Sequence, residues 1–136
     1  MTTRFPIARQ IPVAWGDMDA LGHVNNTVYL RWFESARIAS FDEVAVDFED
    51  VGVILAHQRC DYLAPVAYPD IVEARTGVIR IGGKSFTMAF EIRSAKSGEV
   101  AARGEGVLVA FDYRTQSPVE IPPAIRAAIT SLEDPE

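Results

Sequence analysis

Between Gly16 and Asn26 the chain reads GDMDALGHVNN, which sets two carboxylates (Asp17, Asp19), one imidazole (His23) and two carboxamides (Asn25, Asn26) into eleven residues. An apolar, aromatic run, VYLRWFESARIASF, follows after Thr27. If that run is a helix, its start presents unpaired N–H groups and positive potential. Such donors polarise a carbonyl and hold a developing oxyanion. A carboxylate in the preceding loop could then act as general base for water, or as nucleophile. Together these parts make a minimal apparatus for acyl hydrolysis. The same residues also suit a plain turn and helix cap. Asn25 or Asn26 is a natural N-cap, Gly16 and Gly22 supply turn conformations, Asp17 can satisfy loop donors, and His23 can be an ordinary polar loop residue. As a metal site, Asp17, Asp19 and His23 with His57 match no tight ligand spacing, and there is no Glu-x-x-His pair or second Cys.

The elements that must position this segment follow from periodicity. From Phe5 to Trp15, apolar residues alternate (Phe5, Ile7, then Ile11, Val13, Trp15), which predicts a strand with one buried face. Pro6 and Pro12 cannot donate to a ladder, so this strand belongs at an edge or a bulge. Val28, Tyr29, Trp32, Phe33, Ala36, Ala39 and Ser40 recur at helical spacing and predict a helix over about 27–43. Leu30, Ile38 and Phe41 widen its apolar face until little of it should meet water. Four strands are predicted next, at Val53–Leu63, Ile71–Ile81, Lys84–Ala95 and Val100–Phe111, with turns at Gly82-Gly83 and Lys96-Ser97-Gly98. In the third of these, Phe86, Met88, Phe90 and Ile92 share one face. A short helix is predicted in PPAIRAAITSLE, with Pro123 in its first turn. Short turns imply antiparallel pairing. The order predicts an α+β architecture, a curved five-stranded antiparallel sheet wrapped around one long helix.

At 136 residues, the chain predicts one domain spanning 1–136. Its 49% hydrophobic and 24% charged residues are ordinary for a globular domain, with disorder expected only in the last residues, SLEDPE. The formal net charge of −6 argues against a nucleic-acid or anionic-membrane surface, both of which need a basic footprint. Cys60 is the only cysteine, so no internal disulfide can form, and it reads as a buried strand residue. The N-terminus MTTRFPIARQ has no apolar signal core and no run of 18 apolar residues occurs. The simplest expectation is a soluble, cytoplasmic protein.

The stretch from Trp15 to Arg37, WGDMDALGHVNNTVYLRWFESAR, resembles the hotdog-fold acyl-CoA thioesterases of the 4-hydroxybenzoyl-CoA thioesterase-like group. The likeness extends over nearly the whole chain, through the Gly83-Lys84-Ser85-Phe86 turn and the IPPAIRAAI tail. It implies hydrolysis of an acyl-CoA thioester without metal or organic cofactor. It also implies that the catalytic carboxylate is Asp19 and the oxyanion donor the backbone N–H of Asn26, with Asp17 structural. His23, Asn25 and Tyr29 become substrate-binding candidates beside them. Arg80, Gly83, Lys84 and Ser85 become candidates for the CoA phosphates, where exposed amides and cations both help. The Asn25-Asn26 form resembles the long-chain and general acyl-CoA branch. A homodimer, or a dimer of dimers, with sites at the dimer interface is implied, and a second subunit would also cover an open strand edge.

Another hotdog branch uses a helix glutamate. Glu34 lies eight residues beyond Asn26, roughly 12 Å along the axis, too far to share one carbonyl, and its expected role is a salt bridge to Arg31 or Arg37. The rival functions are a non-catalytic acyl-CoA-binding or regulatory hotdog module and an enoyl-CoA hydratase. A hydratase wants an Asp–His pair in an order and spacing that Asp19 and His23 do not resemble.

Overall fold

The computed structural model describes residues 5–133. Residues 1–4 and 134–136, including the end of the SLEDPE tail, lie outside the described residues. Strand β1 (Ile7–Pro12) leads through a single 3-10 turn (Trp15–Asp17) and a loop into helix α1 (Asn26–Glu43). Strands β2 (Val51–Tyr62), β3 (Ile71–Ile81), β4 (Ser85–Ser94) and β5 (Val100–Asp112) follow, then a two-residue strand β6 (Ser117–Pro118) and helix α2 (Pro123–Thr130). The main sheet runs β1-β3-β4-β5-β2 with every pair antiparallel, and β6 adds to β5. β6 is thus a sixth strand beyond the five expected.

β1 is an edge strand, as its proline requires, and Pro12 ends the ladder opposite Ile71. Trp15 does not continue that strand. It sits in the 3-10 turn, 73% exposed, because the chain must leave the sheet there to reach the helix start.

Helix α1 packs Val28, Tyr29, Trp32, Phe33, Ala36 and Ser40 into the core. Phe86, Met88, Phe90 and Ile92 of β4 all face it, each no more than 1% exposed, and Phe33 stacks on Phe90 with centroids 5.0 Å apart. Gly104 on β5 makes room for this contact, since a Cβ there would strike the Arg59 carbonyl and come 2.8 Å from the Phe33 ring. The expectation that the helix hides almost entirely is corrected. Leu30 and Ile38 are 41% and 51% exposed, because the sheet wraps α1 from one side only.

At the other edge, β2 is twelve residues long with a bulge between Leu55 and His57. Its outer backbone has no neighbouring strand in the sheet, and Ile54, Leu55 and Tyr62 are exposed. Cys60 on β2 is only partly buried, and burial raises its thiol pKa. The C-terminal segment is more fixed than its composition suggested. Leu132 is buried, its carbonyl accepts the Val78 N–H at 2.9 Å, and Glu133 bridges to Val78 beyond the end of β1.

Candidate active site

The loop before α1 is built around Asp17. This buried carboxylate accepts the Ala14 N–H through Oδ2 and the Arg31 guanidinium through Oδ1, both at 2.8 Å. Its own carbonyl accepts the Asn25 N–H at 3.0 Å. The Asp17 side chain therefore ties the 3-10 turn to the second turn of α1 and is fully engaged.

Asp19 lies at the tip of the same loop. Its N–H donates to the His23 carbonyl at 3.0 Å, its carbonyl accepts the Gly22 N–H at 3.1 Å, and its Oδ1 accepts the Leu21 N–H at 2.9 Å. Gly22 closes this turn at φ 85°, where a side chain would be strained. One carboxylate oxygen of Asp19 remains open, and the residue is exposed.

Helix α1 starts where the asparagines indicated. Asn25 is the N-cap. Its Oδ1 accepts both the Thr27 N–H at 2.9 Å and the Thr27 hydroxyl at 2.8 Å, so its carboxamide oxygen is occupied as a cap. The Val28 N–H donates to the Asn25 carbonyl. Among the described residues the Asn26 N–H has no acceptor, which leaves one donor free at the positive end of the helix.

That donor belongs to a cleft of about 290 Å³, lined by His23, Val24, Asn26, Tyr29, Tyr62, Leu63, Ala64 and Pro65. Asp19 does not itself line this cleft; its N–H bond to the His23 carbonyl ties the loop to one of the lining residues. Tyr29 is buried at the base, edge-on to Trp32 and Tyr62 with centroids 5.0 and 5.1 Å away. Burial raises its phenol pKa. The Leu63–Pro65 wall is carried to the site by the Val24 N–H bond to Val66. Tyr62, which sequence reasoning passed over as a strand end, donates its hydroxyl to the Asn26 carbonyl at 2.9 Å.

The second candidate set stands elsewhere. Gly83 and Lys84 form the turn between β3 and β4, flanked by Arg80 and Ser85. Ser85 pairs with Val109, whose neighbour on β2 is Ile54. Tyr62 lies eight residues further along β2, roughly 25 Å away at about 3.3 Å per residue. Within one chain, the turn and the cleft are therefore at opposite ends of the sheet. Two further residues brace the turn, Ile121 by its N–H to the Gly83 carbonyl and Arg126 by its guanidinium to the Gly82 and Gly83 carbonyls at 2.9 and 3.3 Å. The Glu120 carboxylate faces Gly83. Arg126 is not among the residues singled out in the sequence, and nothing in its local context marks it.

Glu34 sits on the exposed face of α1, 3.7 Å from Arg37, away from the cleft. Among the described residues no three His, Cys, Asp or Glu side chains gather as a metal site would require, and no helix is long and apolar enough to cross a membrane.

A curved antiparallel sheet wrapped on one long helix, with a cleft at the helix start, is the architecture of the hotdog proteins. Residues 13–129 match the thioesterase-like superfamily, and the chain belongs to it. It is 23% identical over 127 residues to the long-chain acyl-CoA thioesterase FadM of Escherichia coli, covering 90% of this chain and 96% of that protein. A Thermus thermophilus thioesterase, crystallised with coenzyme A and zinc, superposes with a TM-score of 0.82 at 34% identity, over 93% of this chain and 98% of that one. The PA5185 protein of Pseudomonas aeruginosa gives a TM-score of 0.86 at 30% identity, over 96% and 94% of the two chains.

Proposed function

We propose that this protein is an acyl-CoA thioesterase, releasing a free carboxylic acid and CoA. The observation that carries the reading is the Asn26 N–H at the head of α1, without an acceptor among the described residues, in a residue that lines a cleft to whose His23 wall the Asp19 loop is tied. The thioester carbonyl oxygen accepts the Asn26 N–H. Asp19 takes a proton from water as the water oxygen bonds to the carbonyl carbon. The oxyanion so formed rests on the Asn26 donor and the positive helix end. Collapse breaks the C–S bond, and the CoA sulfur leaves with the proton that Asp19 held. Direct attack by the Asp19 carboxylate, with hydrolysis of the resulting anhydride, uses the same geometry.

The reading includes a homodimer formed across the β2 edges, acting in the cytoplasm. Antiparallel pairing of two copies sets the Ile54 end of one β2 beside the Tyr62 end of the other. The Arg80–Ser85 turn lies two to three strands in from that edge, about 10–15 Å. One copy's turn can therefore meet the CoA phosphates while its partner's helix start holds the thioester. The exposed side chains of Leu30 on α1 and Leu55 on β2 give the interface its apolar part.

The test is thiol release from a panel of acyl-CoA substrates by the purified protein. Hydrolysis abolished in Asp19→Asn supports the reading. Tight binding without thiol release would show a binding module instead, and loss of enoyl absorbance without thiol release would show a hydratase.

A further inference from the structure

Tyr62 and Asn26 are 36 residues apart in sequence, and the bond from the Tyr62 hydroxyl to the Asn26 carbonyl joins the end of the exposed edge strand to the first residue of α1. The helix does not need this bond to begin, because the Asn25 cap already satisfies the Thr27 donor. Nor does it alter the electronics of the Asn26 N–H, which belongs to the preceding peptide plane. What it fixes is where Asn26 stands relative to the cleft wall that Tyr62 itself provides. The phenolic hydroxyl donates to that carbonyl and also lies within hydrogen-bonding reach of the Cys60 thiol. Burial, helped by Cys60 and Tyr29, pushes the Tyr62 pKa up to about 12, so the group is no base near neutral pH.

Resting on the thioesterase reading, we infer that Tyr62 is a positioning residue, holding the Asn26 carbonyl to the end of β2 so that the Asn26 N–H points at the thioester oxygen. Helix ends fray, and the first N–H groups have no partner within the helix to hold them. A misplacement of about 1 Å in a reacting group can cost as much as 10²-fold in rate. The tie acts along that coordinate and leaves substrate affinity to other groups.

A double-mutant cycle tests the proposal. Tyr62→Phe removes the hydroxyl and keeps the ring against Tyr29. Asn26→Pro removes the N–H itself. The first helical position tolerates proline, and Asn25, at φ −63° and ψ 144°, already has the extended conformation that precedes one. With hexanoyl-CoA as the probe, Tyr62→Phe should lower kcat about 10-fold and leave KM within about two-fold, with Tm unchanged. On the Asn26→Pro background the same change should cost nothing more, because the donor it aligns is gone. An unchanged kcat in Tyr62→Phe, an equal loss on both backgrounds, or a Tm drop that accounts for the lost rate would each overturn the proposal. The amide nitrogen shift of Thr27, whose peptide contains the Asn26 carbonyl, reports the tie without turnover. It should move in Tyr62→Phe, and an unmoved shift also counts against the proposal. A wild-type protein that releases no thiol from any acyl-CoA, with the Thr27 shift still moving, would sink the thioesterase reading and leave the tie standing.

Discussion

Arg31 reaches back fourteen residues to Asp17, its Nη2 2.8 Å from Oδ1, yet the two partners share the bond unequally. The Asp17 side chain is 9% exposed and that of Arg31 60%. The guanidinium can find water if the pair breaks. The carboxylate, which also carries the Ala14 N–H, cannot.

That asymmetry predicts the order of two substitutions. Asp17→Ala leaves the Ala14 donor without its acceptor and should cost roughly 2–3 kcal/mol. Arg31→Ala leaves the Ala14 bond in place but takes the counter-charge from a buried carboxylate, and should cost less, about 1–2 kcal/mol. Urea unfolding of both variants measures this, and the reverse order would show that the loop is held by Arg31 instead.

Asp19 should behave in the opposite way. Asp19→Asn keeps the bond from the Leu21 N–H and most of the side-chain volume, so Tm should stay within a few degrees of wild type. Hydrolysis of acyl-CoA should fall by about 10² or more, the scale of a lost general base. Near-normal turnover in this variant would move the chemistry away from Asp19.

Lys84→Ala should raise KM for acyl-CoA more than it lowers kcat, and the effect should shrink on an acyl-pantetheine thioester, which lacks the nucleotide phosphates. If each site takes Asp19 from one subunit and Lys84 from the other, a mixed dimer of Asp19→Asn and Lys84→Ala chains holds one site with both defects and one with neither. Co-expression with two affinity tags should then recover a fraction with native KM. Purified mixed dimers that never show native KM would argue for sites built within single chains.

Stability should fall in strong alkali. The folded state keeps Tyr62 protonated up to about 12, above the ordinary phenol value, chiefly by burial; Tyr29 is raised in the same direction. Between the unfolded value near pH 10 and the folded one, the unfolded chain has lost these protons and the native chain has not. Stability is therefore full below that window and declines as pH rises through it. Thermal melts across this range should show the decline, and Tyr62→Phe should flatten it. A variant with an unchanged alkaline slope would assign the effect to other groups.

The sequence alone determined the type and order of the main elements, and the start of α1. Alternation on β4, the 3.6-residue period of α1 and the asparagine cap are written within a few residues of each other, so they survive any tertiary arrangement. Pro12 already confined its strand to an edge or a bulge, since a missing N–H admits no ladder partner on that side. Tertiary structure decided everything that depends on residues far apart. Asp17 is closed off because Arg31 arrives from the next turn of the helix, whereas Asp19 remains open. Tyr62 meets Asn26 only because β2 runs back the length of the sheet to the helix start. The Arg80–Ser85 turn lies at the far end for the same reason, since an antiparallel strand returns its two ends to opposite sides. Chain spacing carries no record of such meetings, which are set by strand order and by the burial of Trp32, Phe33 and Phe90 between helix and sheet.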